Sequence, residues 1–294
     1  MQRGGIAFFD SGVGGLSVLS ACRESLYGVP VYYYGDNARA PYGNRNMEKI
    51  RAYTHEAFRL FERLGVQIAV VACNTVTAVM IDELRATYSF PILGIEPAIL
   101  PAARKGGRVL VLATKATAES ARLNRLTAVA RRRYPTVKIQ TVGCAHLAEE
   151  VENACRCGSL PSSFSLPRVE VDGVVLGCTH YSLIKNRIAD FYGAEVFDGN
   201  QAVANRLRQV RAEQEKDRAI LEGSSPKTAC FCTPKKSLKN LLFFVEKRRK
   251  KGGGFSLKKE ACFWKIKNAQ PLYFLGSGRV FNRQFYERMF AFDK

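Results

Sequence analysis

Two short segments of the sequence are near-copies of each other, and each contains a cysteine at the same place. The first reads Val70-Val71-Ala72-Cys73-Asn74-Thr75, and the second reads Val174-Val175-Leu176-Gly177-Cys178-Thr179-His180. Apolar runs rich in β-branched residues predict buried parallel strands, and each cysteine follows such a run at its carboxyl end. Because ligands of open α/β sheets bind beyond those ends, we expect the two thiols to face one crevice.

The duplication extends to a whole series of alternating strands and helices. Asp10, after the first predicted strand, precedes Cys73 by 63 residues, and Thr114, after the matching strand of the second series, precedes Cys178 by 64. The predicted strands are 6–9, 31–34, 68–72 and 92–94, then 109–113, 138–141, 173–176 and 195–197, and finally 272–275. The predicted helices are 14–22, 47–64, 75–88, 118–133, 146–154, 182–191, 201–215 and 281–292.

This rhythm predicts an α/β fold of two pseudo-symmetric, doubly wound parallel-sheet domains, with the active site in the crevice between them. The first domain is expected to contain residues 1–97 and 200–294, because the chain returns to it, and the second residues 98–199. The composition, with 47% hydrophobic and 24% charged residues, is that of a globular protein. No apolar run approaches the roughly 20 residues that span a bilayer. Nine scattered cysteines and the absence of a signal-peptide pattern favour the cytoplasm.

The positive charge is concentrated late in the chain. Residues 224–270 contain 13 Lys/Arg against 2 Asp/Glu, which is +11 of the chain's net +19. This segment includes Lys247-Arg248-Arg249-Lys250-Lys251 and three consecutive glycines, without a clean period. It is interpreted as a flexible, solvated excursion, and weak non-specific binding of a polyanion through it is an open alternative.

The two thiols are candidate acid/base groups. A thiolate on one side of a carbon centre removes a proton while a thiol on the other side delivers one, which inverts that centre. A free cysteine is more often a small buried hydrophobe, but polar residues follow both: Asn74 and Thr75 after the first, Thr179 and His180 after the second. His180 is expected to tune Cys178, and an acid at Glu149 or Glu150 to reach the same place.

Further polar groups lie at the same predicted sheet edges. Asp10 and Ser11 open a glycine-rich loop that lacks the third glycine of a dinucleotide fingerprint and any Gly-Lys-Ser/Thr. Asp10 and Cys73 end neighbouring predicted strands of one sheet, so Asp10 is expected beside Cys73. There it would accept a proton or bind an ammonium group, although a role as a helix cap would also explain it. Tyr42 and Gly43 belong to a polar loop after the second strand. Thr114 and Thr117 open a helix, where they bind a carboxylate or serve only as caps.

Together these motifs resemble the glutamate racemases of the aspartate/glutamate racemase superfamily. The resemblance covers about residues 5–210 and implies a cofactor-independent, usually dimeric enzyme that supplies D-glutamate for peptidoglycan. It implies Cys73 and Cys178 as the acid/base pair, with Asp10 assisting the first and His180 and Glu149 the second. The residues it implies for holding L- or D-glutamate are Asp10, Ser11, Tyr42, Gly43, Asn74, Thr75, Thr114, Thr117, Thr179 and His180.

Three alternatives remain open on the sequence. The chain resembles, less closely, aspartate or broad-specificity racemases of the same superfamily. A regulatory protein acting on a polyanion through residues 224–270 belongs to a different class. Metal binding is disfavoured because Cys155-x-Cys157 and Cys230-x-Cys232 lack the spacing of zinc sites. Nothing requires pyridoxal phosphate, since Lys115, the nearest lysine to the motifs, is expected only to flank a carboxylate-binding turn.

Overall fold

A computed structural model describes residues 4–158, 161–221, 263–264 and 272–276 of the chain. Its first half contains β1 (Ile6–Asp10), α1 (Gly15–Ala21), a 3-10 turn at Arg23–Leu26, β2 (Val31–Gly35), α2 (Met47–Arg63), β3 (Ile68–Val71), α3 (Asn74–Thr87) and β4 (Ile92–Gly94). The second half contains α4 (Ile99–Lys105), β5 (Arg108–Ala113), α5 (Lys115–Ala118), α6 (Ala121–Arg133), β6 (Lys138–Gly143), α7 (Leu147–Cys157), β7 (Gly173–Gly177), α8 (Thr179–Ser182), α9 (Lys185–Tyr192) and β8 (Glu195–Phe197).

Two sheets contain these strands in matching order. The first has the order β4-β3-β1-β2, continued by β10 (Leu272–Gly276) and β9 (Phe263–Trp264). The second has the order β8-β7-β5-β6, so each strand of one half has its counterpart at the same place in the other. All pairs are parallel except β9 with β10. The predicted α/β fold with two pseudo-symmetric parallel sheets is confirmed.

The parallel strands are buried because helices cover both of their faces. All residues of β1, β2, β3 and β7 are buried, and burial of one large apolar side chain contributes about 1.5–3 kcal/mol. One face of the first sheet packs on α1 and α10 (Asn200–Leu221), and the other on α2 and α3. Two further cores lie on the faces of the second sheet. Polar strand ends are thereby held on a rigid scaffold.

Several helix boundaries differ from the predictions. The helix expected over 118–133 is broken at Ser120, whose extended backbone and hydroxyl cap α6 by accepting from the Leu123 amide at 3.1 Å. The helix expected over 182–191 corresponds to α9, which begins only at Lys185, and the separate short helix α8 precedes it. The helix α4 has no counterpart among the predicted helices, because Pro101 interrupts its sequence pattern. Proline is nevertheless tolerated at this position, since it lies in the first turn of the helix.

The late part of the chain is described only in pieces. The strand β10 pairs in parallel with β2, and two residues of the basic segment form β9 at the sheet edge. The segment was expected to be an excursion throughout, so that description is wrong for Phe263 and Trp264. The rest of 224–270 and the helix predicted at 281–292 lie outside the described residues. The domain boundaries near 97 and 200 remain predictions. None of the described helices is both long and apolar enough to cross a bilayer.

Candidate active site

Cys73 lies at the carboxyl end of the first sheet, beside the polar end of β1. It caps the N-terminus of α3 in extended conformation. Phe9 and Val71 are paired in register, so the chain beyond each emerges at the same edge. The Cys73 Sγ is 3.5 Å from the Ser11 hydroxyl oxygen. Burial, and secondly the negative charge of Asp10, raise the pKa of the Cys73 thiol to about 11, so it is protonated at neutral pH.

Cys178 occupies the matching place in the second sheet but has different neighbours. It follows β7 and caps α8, and its Sγ is 3.7 Å from Nδ1 of His180. On the other side of the ring, His180 Nε2 is 2.6 Å from Oε2 of Glu152. Burial opposes the charged imidazole, but the hydrogen bonds with Cys178 and Glu152 outweigh it and raise the pKa of His180 well above 6.5. The His180 ring therefore lies between a thiol and a carboxylate in this part of the site.

Three hydrogen bonds converge on Asp10 and Glu152 from the two sheets. The Thr179 hydroxyl donates to Oδ1 of Asp10 at 3.1 Å, and the Gly12 amide donates to Oδ2 at 2.9 Å. The Val13 amide donates to Oε2 of Glu152 at 3.3 Å. Burial raises the pKa of Asp10 above 3.8, although His180 and these donors act in the opposite direction. The strand ends of the two halves therefore meet in one buried site.

A cluster of hydroxyl groups forms a second connection between the halves. Thr114 Oγ1 is 3.0 Å from the hydroxyls of both Thr75 and Thr117, and it also caps α5 through the Thr117 amide at 3.4 Å. Thr114 is therefore more than a helix cap, since its hydroxyl also contacts Thr75 in the other half. Nearby, the Ala116 amide donates to the carbonyl of Gly43 at 3.2 Å.

The loop of residues 36–45, named here the cover loop, packs over this site. The Tyr42 hydroxyl donates to the buried carboxylate of Asp36, which also accepts from Arg39 at 2.8 Å. At Gly43 a Cβ would stand 2.6 Å from the Thr114 side chain. At Gly12 it would stand 2.4 Å from Glu152 Oε2 and 3.1 Å from Ala40. Both glycines thus allow backbone to approach functional side chains more closely than any other residue permits.

One buried polar group at the site lacks an internal partner. Asn74 is 4% exposed, and its Nδ2 has no hydrogen-bond partner among the groups that the structure describes. Such a donor is costly when left unpaired in a protein interior. An anionic ligand oxygen would satisfy it, which supports the expectation that Asn74 binds substrate.

The assignment of the second acid is corrected by the structure. Glu149 is exposed, and Glu150 accepts a hydrogen bond from the Ser165 amide at 3.1 Å. The acid that reaches His180 is Glu152, which is 1% exposed. The signal was present in the sequence: Ala148, Val151 and Cys155 define the apolar face of α7, and position 152 shares that face because it lies four residues after 148.

The other predicted site residues lie together. Those that are buried at this junction of the two sheets are Asp10, Ser11, Tyr42, Gly43, Cys73, Asn74, Thr75, Thr114, Thr117, Cys178, Thr179 and His180. Lys115 is exposed. Within the described residues, no group of three or more His, Cys, Asp or Glu side chains has the arrangement of a metal site. The arrangement instead provides two thiols, two carboxylates, one imidazole and several hydroxyl donors.

Comparison with known proteins agrees with this arrangement. The chain is 36% identical over 214 residues to the glutamate racemase of Clostridium botulinum strain Okra, covering 69% of this chain and 82% of that protein. The crystal structure of Escherichia coli glutamate racemase in complex with L-glutamate and the activator UDP-MurNAc-Ala is 30% identical, with a TM-score of 0.59 over 78% of this chain and 86% of that one.

Glutamate racemase from Aquifex pyrophilus is 34% identical, with a TM-score of 0.53 over 70% of this chain and 83% of that chain. The model of the Asp/Glu/hydantoin racemase family matches residues 15–207. This match covers more than half of the sequence and includes both cysteines. The chain therefore belongs to the Asp/Glu/hydantoin racemase family, whose glutamate racemases it resembles, and it is an enzyme of the isomerase class.

Proposed function

We propose that this protein interconverts L-glutamate and D-glutamate by a two-thiol proton transfer that needs no cofactor. The observation that carries the proposal is the burial of Cys73 and Cys178 at matching strand ends of two sheets that meet through Asp10 and Thr179. The two thiols are near enough for the charge of Cys178 to act on the pKa of Cys73. The identity to glutamate racemases supports glutamate as the substrate.

In the proposed reaction, Cys178 acts as the thiolate and Cys73 as the thiol for one enantiomer. The Cys178 thiolate takes the α-proton and becomes a thiol, while Cys73 delivers its proton to the opposite face of the α-carbon and becomes a thiolate. The configuration is inverted without net transfer of electrons. The reverse direction uses the two groups in exchanged roles.

The remaining groups bind the substrate and lower the barrier to α-proton removal. The hydroxyls of Thr75 and Thr114 and the free amide of Asn74 are suited to a carboxylate. In the cover loop, the Gly43 backbone amide is a further candidate donor, the Tyr42 hydroxyl holds the loop through Asp36, and Asp10 is suited to the ammonium group. Neutralising a carboxylate in a buried site stabilises the negative charge that develops at the α-carbon.

The test is racemisation of purified protein followed by circular dichroism of the amino acid. L-glutamate and D-glutamate should each lose optical rotation after treatment with a chelator and hydroxylamine, without added cofactor. Loss of activity under either treatment would overturn the two-thiol mechanism. Parallel assays with L- and D-aspartate decide between glutamate and broader specificity, and faster racemisation of aspartate would overturn the substrate assignment.

The cellular role that we propose is supply of D-glutamate for peptidoglycan from the cytoplasm, by a homodimer. Expression in a bacterial strain that requires external D-glutamate should relieve the requirement, and the Cys73→Ser variant should not. Light scattering after size exclusion should give twice the mass of 32.7 kDa. A monomer with full activity would overturn the dimer proposal alone.

A further inference from the structure

One exposed arginine connects the cover loop to the acid that supports His180. Arg156 lies on α7, one turn after Glu152, and its side chain is 45% exposed. Its Nη2 is 3.6 Å from Oε1 of Glu152 and donates to the backbone carbonyl of Asn37 at 2.5 Å. The same guanidinium group therefore contacts both halves of the molecule, on the outer side of the Glu152–His180 pair.

The Glu152 carboxylate depends on this contact for one of its two oxygens. Oε2 is held by His180 and by the Val13 amide. Oε1 is buried and has no hydrogen-bond partner among the described groups, and the Arg156 guanidinium, 3.6 Å away, provides a compensating positive charge. A buried carboxylate oxygen without a hydrogen-bond partner is costly to keep charged.

The contact with Asn37 holds the cover loop at the same time. A second contact across the halves, from Asn44 Nδ2 to the Ala145 carbonyl at 2.5 Å, holds the far end of the loop. Between them lies Ala40, whose Cβ packs toward Gly12 and the site. The Arg156–Asn37 contact therefore links the position of this loop to the environment of Glu152.

We propose that Arg156 is a positioning residue that orients Glu152 toward His180 only when the cover loop is closed. This inference rests on the proposed racemisation, because it concerns the acid/base group at Cys178. Its consequence is that the Glu152–His180 pair is fully oriented when the loop covers a bound substrate. Arg156 itself touches neither thiol in this scheme and acts through Glu152.

The first test is a double-mutant cycle of Arg156→Met and Glu152→Gln. Arg156→Met should lower kcat about tenfold in the wild-type background with a smaller change in KM, and no more than about twofold in Glu152→Gln, because coupled residues are not additive. Arg156→Lys, which keeps the charge, should recover most of the loss. Equal losses in both backgrounds, or none in either, would overturn the proposal.

The matched control is Arg187→Met. Arg187 is also an exposed arginine that donates to backbone carbonyls, those of Pro161 and Ser162, but it contacts neither the cover loop nor Glu152 in the described hydrogen bonds. Its replacement should leave kcat and KM unchanged. A loss as large as that of Arg156→Met would overturn the proposal, because it would show a general effect of removing surface arginines.

A second readout does not depend on turnover. The rates at which iodoacetamide alkylates Cys178 and Cys73 at neutral pH are measured by peptide mass spectrometry. The ratio of the two rates is compared between proteins, because a change in the access of the reagent to the shared site affects both rates. Arg156→Met should lower the ratio of Cys178 to Cys73 several-fold, since a poorly oriented Glu152 supports the imidazolium less. An unchanged ratio would overturn the proposal. If the wild type fails to racemise glutamate but the ratio falls, the proposed function fails and the positioning role stands.

Discussion

Cys73 and Cys178 occupy matching positions in their two sheets, but their neighbouring side chains differ. Burial, and secondly the charge of Asp10, raise the pKa of the Cys73 thiol to about 11, while its hydrogen bond with Ser11 acts in the opposite direction. Cys178 is next to His180, whose pKa is raised well above 6.5 by its hydrogen bonds with Cys178 and Glu152. The two sheets therefore place the thiols at matching positions, while the neighbouring side chains give each thiol a different environment.

The largest effect that we predict comes from removing either thiol. Cys73→Ser and Cys178→Ser should each lower racemisation by about 10³-fold or more, because a hydroxyl is far too weak an acid to replace an acid/base thiol. Far-ultraviolet circular dichroism should show an unchanged fold. In deuterated water the wild type should place deuterium at the α-carbon of the newly formed enantiomer from both starting substrates. Near-wild-type turnover in either variant would mean that the remaining thiol works alone.

Removing the acid behind His180 should have the next largest effect. Glu152→Gln should lower kcat by about 10²-fold, because the neutral amide no longer stabilises the imidazolium. Glu149→Gln is the matched control on the same helix and should leave kcat unchanged, since Glu149 is exposed. A loss of kcat in Glu149→Gln but not in Glu152→Gln would instead support Glu149, the acid expected from the sequence.

The same comparison predicts a dependence of stability on pH. His180 has a folded pKa raised above its ordinary 6.5, so the stability gained from its pairing is complete below pH 6.5 and is lost as the pH rises through the raised value. Urea unfolding of the wild type should therefore show a fall in the free energy of unfolding on the alkaline side. Glu152→Gln should flatten this fall, and an identical pH dependence in both proteins would contradict the charged pair.

A smaller effect is expected from adding one methyl group between the halves. In Gly12→Ala the new Cβ would stand 2.4 Å from Glu152 Oε2 and 3.0 Å from His180 Nε2, so this pair must shift. We expect a loss of about tenfold in kcat, from misplacement of the acid/base group. Gly143→Ala, whose Cβ would have no neighbour nearer than 3.5 Å, is the control. Equal activity of the two variants would show that the pair tolerates displacement.

The smallest effect is expected far from both thiols. Replacing Lys247–Lys251 with alanine should leave kcat and KM for glutamate unchanged, because no candidate site residue belongs to residues 224–270. Retention on a polyanion column should weaken, and the wild-type interaction should fall steeply with salt as counterion release requires. A large loss of turnover in a folded variant would show that this segment packs against the site.

The position of each thiol was predictable from local sequence because a buried strand and the turn after it occupy adjacent residues. The same holds for Asp10, the last residue of β1, and for Thr114, which directly follows β5. That Glu152, and not Glu149, contacts His180 was not predictable in this way, because it depends on how α7 docks on the second sheet. Glu149 and Glu152 are one turn apart, and only the apolar face of the helix distinguishes them. The position of Arg156 depends on contact between the halves, which no local pattern encodes.

The matching strand order of the two sheets has an evolutionary consequence. A symmetric dimer of a single half would have to place identical residues around both thiols. Duplication and fusion into one chain removes that requirement, so one copy of the motif can retain Asn74-Thr75 while the other acquires Thr179-His180. The two catalytic groups can thus specialise separately within the fused chain, which a symmetric dimer of identical halves does not allow.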